Sequence, residues 1–124
     1  MSSQGLLLIG IAAVLTAVAN LLLRGGVLAH GGLSLAPGRV LSDLLGLAMQ
    51  PMFVSGFIFY GMAALVWFSV LAVEDLSASY PVLVGLTFVL VAAGAVFFFS
   101  ESFSWQKLLG MLIILGGIVV VARA

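Results

Sequence analysis

LSASYPVLVGLTFVLVAAGAVFFFSESFSWQKLLGMLIILGGIVVVA, residues 76–122, holds two long apolar runs interrupted once. The interruption is SESFSWQK, residues 100–107, and it carries the only charges of the stretch, Glu101 and Lys107. Each run is close to the ~20 residues that a helix needs to cross a hydrocarbon core of about 30 Å. Lipid offers the backbone no hydrogen-bond partners, so helices that satisfy their own amides are the reasonable spans. The short interruption makes the two helices antiparallel neighbours, with Ser104 placed to cap the start of the second.

Working outward, two more segments of the same kind precede this hairpin. The spans are predicted at about 5–23, 52–73, 79–100 and 105–122 of the 124 residues, forming one four-helix domain. The composition agrees. Hydrophobic residues make up 65% of the chain and charged ones 6%, with a mean hydropathy of +1.41, so lipid is the solvent. The roughly ten-residue alternation of a β-barrel is not visible. The opening MSSQ lacks a basic region, and the first cation follows the apolar run, so the first span reads as a retained helix. The fold class expected is an all-α integral membrane protein.

The connections differ in length. Residues 24–51 form the long one, in which GRVLSDLLGLAMQP (38–51) gathers Val40, Leu41, Leu44, Leu45 and Leu47 on one broad side. That is the pattern of a short helix lying in the membrane interface. Pro51 then opens the second span, where its missing amide hydrogen costs little. Arg24, Arg39 and Lys107 fall on one side of the predicted spans and Arg123 on the other. The basic residues therefore favour both termini outside.

Several classes of function are excluded. Cysteine is absent, which removes thiol and disulfide chemistry. Net charge is zero with no basic run, which argues against nucleic acid as a partner. There is no phosphate-binding loop, no nucleophile–base pair and no acid cluster at membrane depth, so no catalytic residue and no cofactor are expected. His30 has no second ligand nearby, and no metal site is expected. Glu101 and Lys107 read as membrane-surface residues, Trp67 as a packing or lipid-facing residue, and Ser55, Ser69 and Thr87 as hydroxyls bonded to helix carbonyls.

What remains is a polar column. In LTAVANLLLRGG (15–26), Thr16, Asn20 and Arg24 recur every four residues and lie nearly above one another on a helix. Such a column either binds something or ends the helix, with Arg24 reaching to phospholipid head groups. Tyr80–Pro81, near the start of the third span, has two readings as well. Proline bends the helix, and the tyrosine ring either lines a polar cavity or anchors at the interface. Gly110 and Gly117, two turns apart, give one face of the last helix a smooth surface for another backbone.

From about Phe57 onward the chain resembles the second half of proteins of the drug/metabolite transporter superfamily, nearest to the four-helix small multidrug resistance and EamA-like members. The likeness is carried by Ser77, Tyr80 and Pro81, by Glu101, by FSWQKLLG (103–110), and by Gly110 and Gly117, with Arg24 matching the basic residue of the first helix. It implies a transporter of the bacterial inner membrane, with Tyr80 facing substrate and the Gly110–Gly117 face pairing protomers in an antiparallel dimer. The chain departs from the proton-coupled exporters of that group. Thr16 stands where they carry a membrane-embedded glutamate, and no Asp or Glu occurs before Asp43.

The first helix is more similar to the small subunits that flip aminoarabinose-phosphoundecaprenol, where an amide residue precedes the base by one turn, as Asn20 precedes Arg24. That resemblance implies a flippase or carrier for a polyprenyl-phosphate-linked sugar or similar amphiphile, with Arg24 on the phosphate and Asn20 and Thr16 on phosphate or sugar. Membrane lipid and a second copy or a small homologue are then its partners. Two alternatives stay open. One is an exporter of small organic cations or metabolites, and the other is a non-transporting subunit that supports a glycosyltransferase.

Overall fold

A computed structural model describes residues 2–124 as five α-helices: α1 (Ser3–His30), α2 (Val40–Ala48), α3 (Pro51–Val73), α4 (Leu76–Phe99) and α5 (Trp105–Arg123). All but α2 are long and apolar enough to cross a membrane, so this is a multi-pass membrane protein. The helix starts follow local chemistry. Ser2 Oγ accepts from the Gly5 amide, the Gln50 side chain from Met52, and Ser104 Oγ from Lys107. Pro51 occupies the first turn of α3 and Ser104 caps α5, both as the sequence suggests.

The first helix departs from expectation. It does not stop near Arg24, where the long connection was predicted to begin, but continues through Gly25 and Gly26 to His30. The stop comes at Gly31 and Gly32, whose φ angles of 95° and 101° only glycine adopts freely. Their amides bond back to Leu28 O (3.2 Å) and Val27 O (2.9 Å), closing a Schellman turn. The earlier glycine pair has another purpose. A Cβ on Gly26 would stand 2.7–2.8 Å from the Phe53 N, Cβ and Cα atoms, so this is where α3 crosses α1 backbone to backbone.

α1 is the central helix. It runs antiparallel along α3, with Gly26 beside Phe53 at one end and Gly5 beside Glu74 at the other. On its other flank it runs parallel to α4, with Ile9 near Val82 and Leu21 against Gly94. Buried Ala12, Ala13, Ala17 and Ala19 let both neighbours approach closely. α5 packs on the far side of α4, its Ile118 seated on Gly85.

The dry core of Ile9, Val70, Val82 and Ile118 lies at the end that holds the α3–α4 turn. There the Ser2 hydroxyl and backbone amide both donate to Glu74 Oε1. These two bonds hold the Glu74 carboxyl below its ordinary 4.5. The clasp is therefore complete at neutral pH and is lost only as the pH falls through that lowered value.

At the opposite end α2, the helix expected in the long connection, docks by one residue. Leu47 is buried while Leu41, Leu44 and Leu45 stay exposed, as suits a helix with lipid on its outer side. Asp43 fixes its position by accepting from the Ser34 amide (2.8 Å) and lying 3.7 Å from His30 Nε2.

Candidate functional site

α3 and α4 flank α1 but barely pack on each other, which leaves a cleft of about 660 Å³ floored by α1. Two residues of the polar column form part of that floor, while Arg24 lies outside the lining and reaches the cleft through Glu101. Thr16 and Asn20 both line the cleft, with Ala12 one turn earlier. Thr16 Oγ1 donates to Ala12 O (2.7 Å), and Asn20 Nδ2 donates one hydrogen to Thr16 O (2.9 Å). The column therefore does not end the helix, and Arg24 stands six residues, about 9 Å, before the helix stop.

The walls are aromatic. Tyr60 and Trp67 come from α3, Tyr80 and Phe88 from α4, and the Trp67 and Tyr80 rings pack at a centroid distance of 6.0 Å. Tyr80 is thus both half-exposed and cleft-lining, while Pro81 is exposed and lies outside the lining. Proline's contribution is to the helix turn that carries Tyr80, where it frees the Ser77 carbonyl. Thr87 also lines the cleft, and here expectation fails. Its hydroxyl is buried and bonded to no carbonyl, whereas Ser55 does bond back to Pro51 O (2.8 Å).

Glu101, in the turn after α4 where a membrane-surface residue was expected, also closes one end of the cleft. Ser100 ends α4 in the left-handed region (φ 52°), a conformation that costs a non-glycine residue about 1 kcal/mol. The turn lets the Glu101 amide reach Ala95 O (3.3 Å) and brings the carboxylate back to the cleft. Glu101 Oε2 then lies 2.9 Å from Arg24 Nη2. The two meet as an ion pair without hydrogen-bond alignment, because that buried oxygen has no hydrogen-bond partner. Arg24 is also held 5.1 Å above the Phe99 ring. Its side chain remains 52% exposed.

A second hollow of about 350 Å³ lies between α4 and α5, and Glu101 is part of its wall too, with Lys107 and Gly110. Lys107 Nζ is engaged on Ser102 O at 2.7 Å. A side chain added at Gly116 or Gly117 would meet nothing within 4 Å and both are exposed, so this part of α5 faces away from the other helices, whereas Gly110 borders the hollow.

Chemically, the site is an apolar slot with a few hydrogen-bonding groups along its floor and one ion pair at its end. Among the described residues no group of three or more metal-ligating side chains forms. Trp67 packs as expected, against Tyr80 and the core, and it also lines the wall; Tyr60 is the wall residue that sequence reasoning missed. The two residues are two turns apart on one helix face with Ala63 and Ala64 between them, and large rings bracketing small residues are the legible sign of a groove.

Comparison with known proteins gives two relatives over nearly the whole length. The chain is 31% identical over 123 residues to the uncharacterized protein y4nH of Sinorhizobium fredii, covering 99% of this chain and 98% of the relative. It is 32% identical over 130 residues to the probable 4-amino-4-deoxy-L-arabinose-phosphoundecaprenol flippase subunit ArnF of Shewanella sediminis, covering 98% of this chain and 89% of that protein. No protein-family model matches the chain, and no solved structure matches it significantly.

Proposed function

The chain belongs to the family of small membrane proteins that includes y4nH and the ArnF flippase subunit, and from that premise we propose that it is a flippase or carrier for a polyprenyl-phosphate-linked sugar or similar amphiphile. The observation that carries this reading is the cleft, where Thr16 and Asn20 lie on the floor and Arg24 meets Glu101 at the end. The head group enters between α3 and α4 with its sugar along Thr16, Asn20 and Tyr80. Its phosphate is taken by Arg24, whose planar fork suits two phosphate oxygens. The polyprenyl tail remains in lipid, so one helix pair needs to open only as far as a polar head requires.

In this proposal the protein works in the bacterial inner membrane as a dimer, of two copies or with a small homologue, because four helices enclose no complete pathway. The Gly110–Gly117 face of α5, open at Gly116 and Gly117, supplies the contact. Antiparallel protomers provide the inverted symmetry that alternating access uses. The reaction is movement without covalent chemistry, so no catalytic residue is assigned.

Native mass spectrometry of gently extracted wild type beside Arg24→Ala tests the proposal. A polyprenyl-phosphate-sized adduct is expected on the wild type and is expected to be lost from the variant. Ordinary phospholipids bound equally by both proteins would remove Arg24 as a phosphate ligand. One observation favours a second reading. Glu101 supplies the cleft with a carboxylate among aromatic walls, a setting that also suits a small organic cation. Tight binding of a quaternary ammonium compound, abolished by Glu101→Gln, would place that reading first.

A further inference from the structure

We infer that the hollow between α4 and α5 is a seat for an anionic membrane phospholipid, separate from the cleft between α3 and α4. One acyl chain fills the hollow, and the phosphate rests on Lys107 at its mouth. α4 and α5 touch where Ile118 is seated on Gly85. Between that contact and the turn at residues 100–104 lies a wedge of about 350 Å³. Its apolar walls are Phe88, Ala92 and Val96 of α4 and Gly110, Met111 and Ile114 of α5.

The dimensions choose a lipid chain as the occupant. From Lys107 to Ile114 a helix rises about 10 Å, within the roughly 15 Å of hydrocarbon in one leaflet. Trp105, 83% exposed two residues before Lys107, sets the mouth at head-group level. A partner helix, roughly 10 Å across with its side chains, is too thick for the wedge.

Charge chooses the head group. Two charged residues border the hollow, Glu101 and Lys107. Glu101 already has its cation, Arg24 at 2.9 Å. Among the described residues Lys107 makes no ion pair, and its Nζ donates to Ser102 O at 2.7 Å. That bond uses one of three ammonium hydrogens, so two donors stay free for a phosphate. A basic pocket between membrane helices is the usual setting for an anionic head group. A zwitterionic lipid brings an ammonium as well, and no carboxylate at the mouth is free to take it. The seat is independent of what the cleft carries. It does brace the cleft, because Phe88, Ala92, Ala95 and Glu101 wall both cavities.

The test titrates the delipidated full chain in detergent with dioleoyl phosphatidylglycerol and with dioleoyl phosphatidylcholine, counting bound lipid by native mass spectrometry. Wild type is expected to hold one lipid per chain and to bind the anionic one about fivefold more tightly, the usual contribution of one lysine. Lys107→Gln is expected to bring the two lipids within about twofold. Val96→Phe fills the wedge from a position outside the cleft lining, and is expected to weaken both lipids by about tenfold. Gly110→Leu, where a Cβ meets nothing within 4 Å, is the second filling variant should the first not fold. Equal binding of the two lipids by wild type and Lys107→Gln alike would overturn the choice of an anionic lipid. Undiminished binding by the filled variants would overturn the wedge as the seat. Loss of a dimer from those variants, with lipid binding unchanged, would give the hollow to a second copy instead. Capture of polyprenyl phosphate, read with Arg24→Ala, stands or falls separately.

Discussion

Gly26→Ala is expected to destabilise the protein by about 2 kcal/mol, although alanine is the better helix former. The propensity gain of about 1 kcal/mol acts in the variant's favour. Against it, the new methyl would stand 2.7–2.8 Å from the Phe53 N, Cα and Cβ atoms, and backbone cannot rotate away as a side-chain tip can. Overpacking of this kind costs roughly 1–3 kcal/mol, here at its upper end. The control is the same substitution at Gly10 on the same helix, where a Cβ meets nothing within 4 Å. Gly10→Ala is expected to stabilise by up to about 1 kcal/mol. Unfolding titrations with a denaturing detergent in mixed micelles measure both. Equal shifts at the two positions would show that α1 and α3 do not cross at Gly26.

Arg24→Glu is expected to have the largest effect on ligand capture. It removes the guanidinium and sets a second carboxylate where 2.9 Å now separates Arg24 from Glu101. Each charge-assisted bond to phosphate contributes about 1.5–3 kcal/mol, so the loss of a two-pronged contact lowers affinity for a polyprenyl phosphate by a hundredfold or more. The double exchange, Arg24→Glu with Glu101→Arg, separates folding from binding. It is expected to recover the detergent stability of the wild type, because the pair is rebuilt with its charges swapped. Affinity should return in part, with an arginine available at the same end of the cleft. Wild-type affinity in the single variant would show that the phosphate is held elsewhere.

The physical reasons why some of this was legible in the sequence are specific. Four spans and the caps at Pro51 and Ser104 are local matters of hydrophobic run length and hydrogen-bond geometry, and they read directly. So did the polar column, since Thr16 and Asn20 are one turn apart on any helix. The extent of α1 did not. Gly25–Gly26 and Gly31–Gly32 look alike as text, and only the approach of Phe53 marks the first pair as a packing contact and the second as the stop. Glu101 was missed for a related reason. Its distance from Arg24 is 77 positions in sequence, and a left-handed Ser100 is what turns it inward. The first helix has no carboxylate, and its polar column carries Thr16 and Asn20. The cleft receives its carboxylate from the end of α4 instead.

In the proposed function, the cleft on α1 between α3 and α4 holds a phosphate-bearing lipid head group. Photo-crosslinking tests it most directly, with a polyprenyl phosphate whose head group bears a diazirine, incorporated into vesicles with the full-length protein and mapped by peptide mass spectrometry. Labels are expected at Tyr60, Trp67, Tyr80 and Phe88, and they should disappear when unlabelled polyprenyl phosphate competes. Labels spread over the outward faces of α5 and α3, unaffected by competitor and by Arg24→Ala, would contradict it.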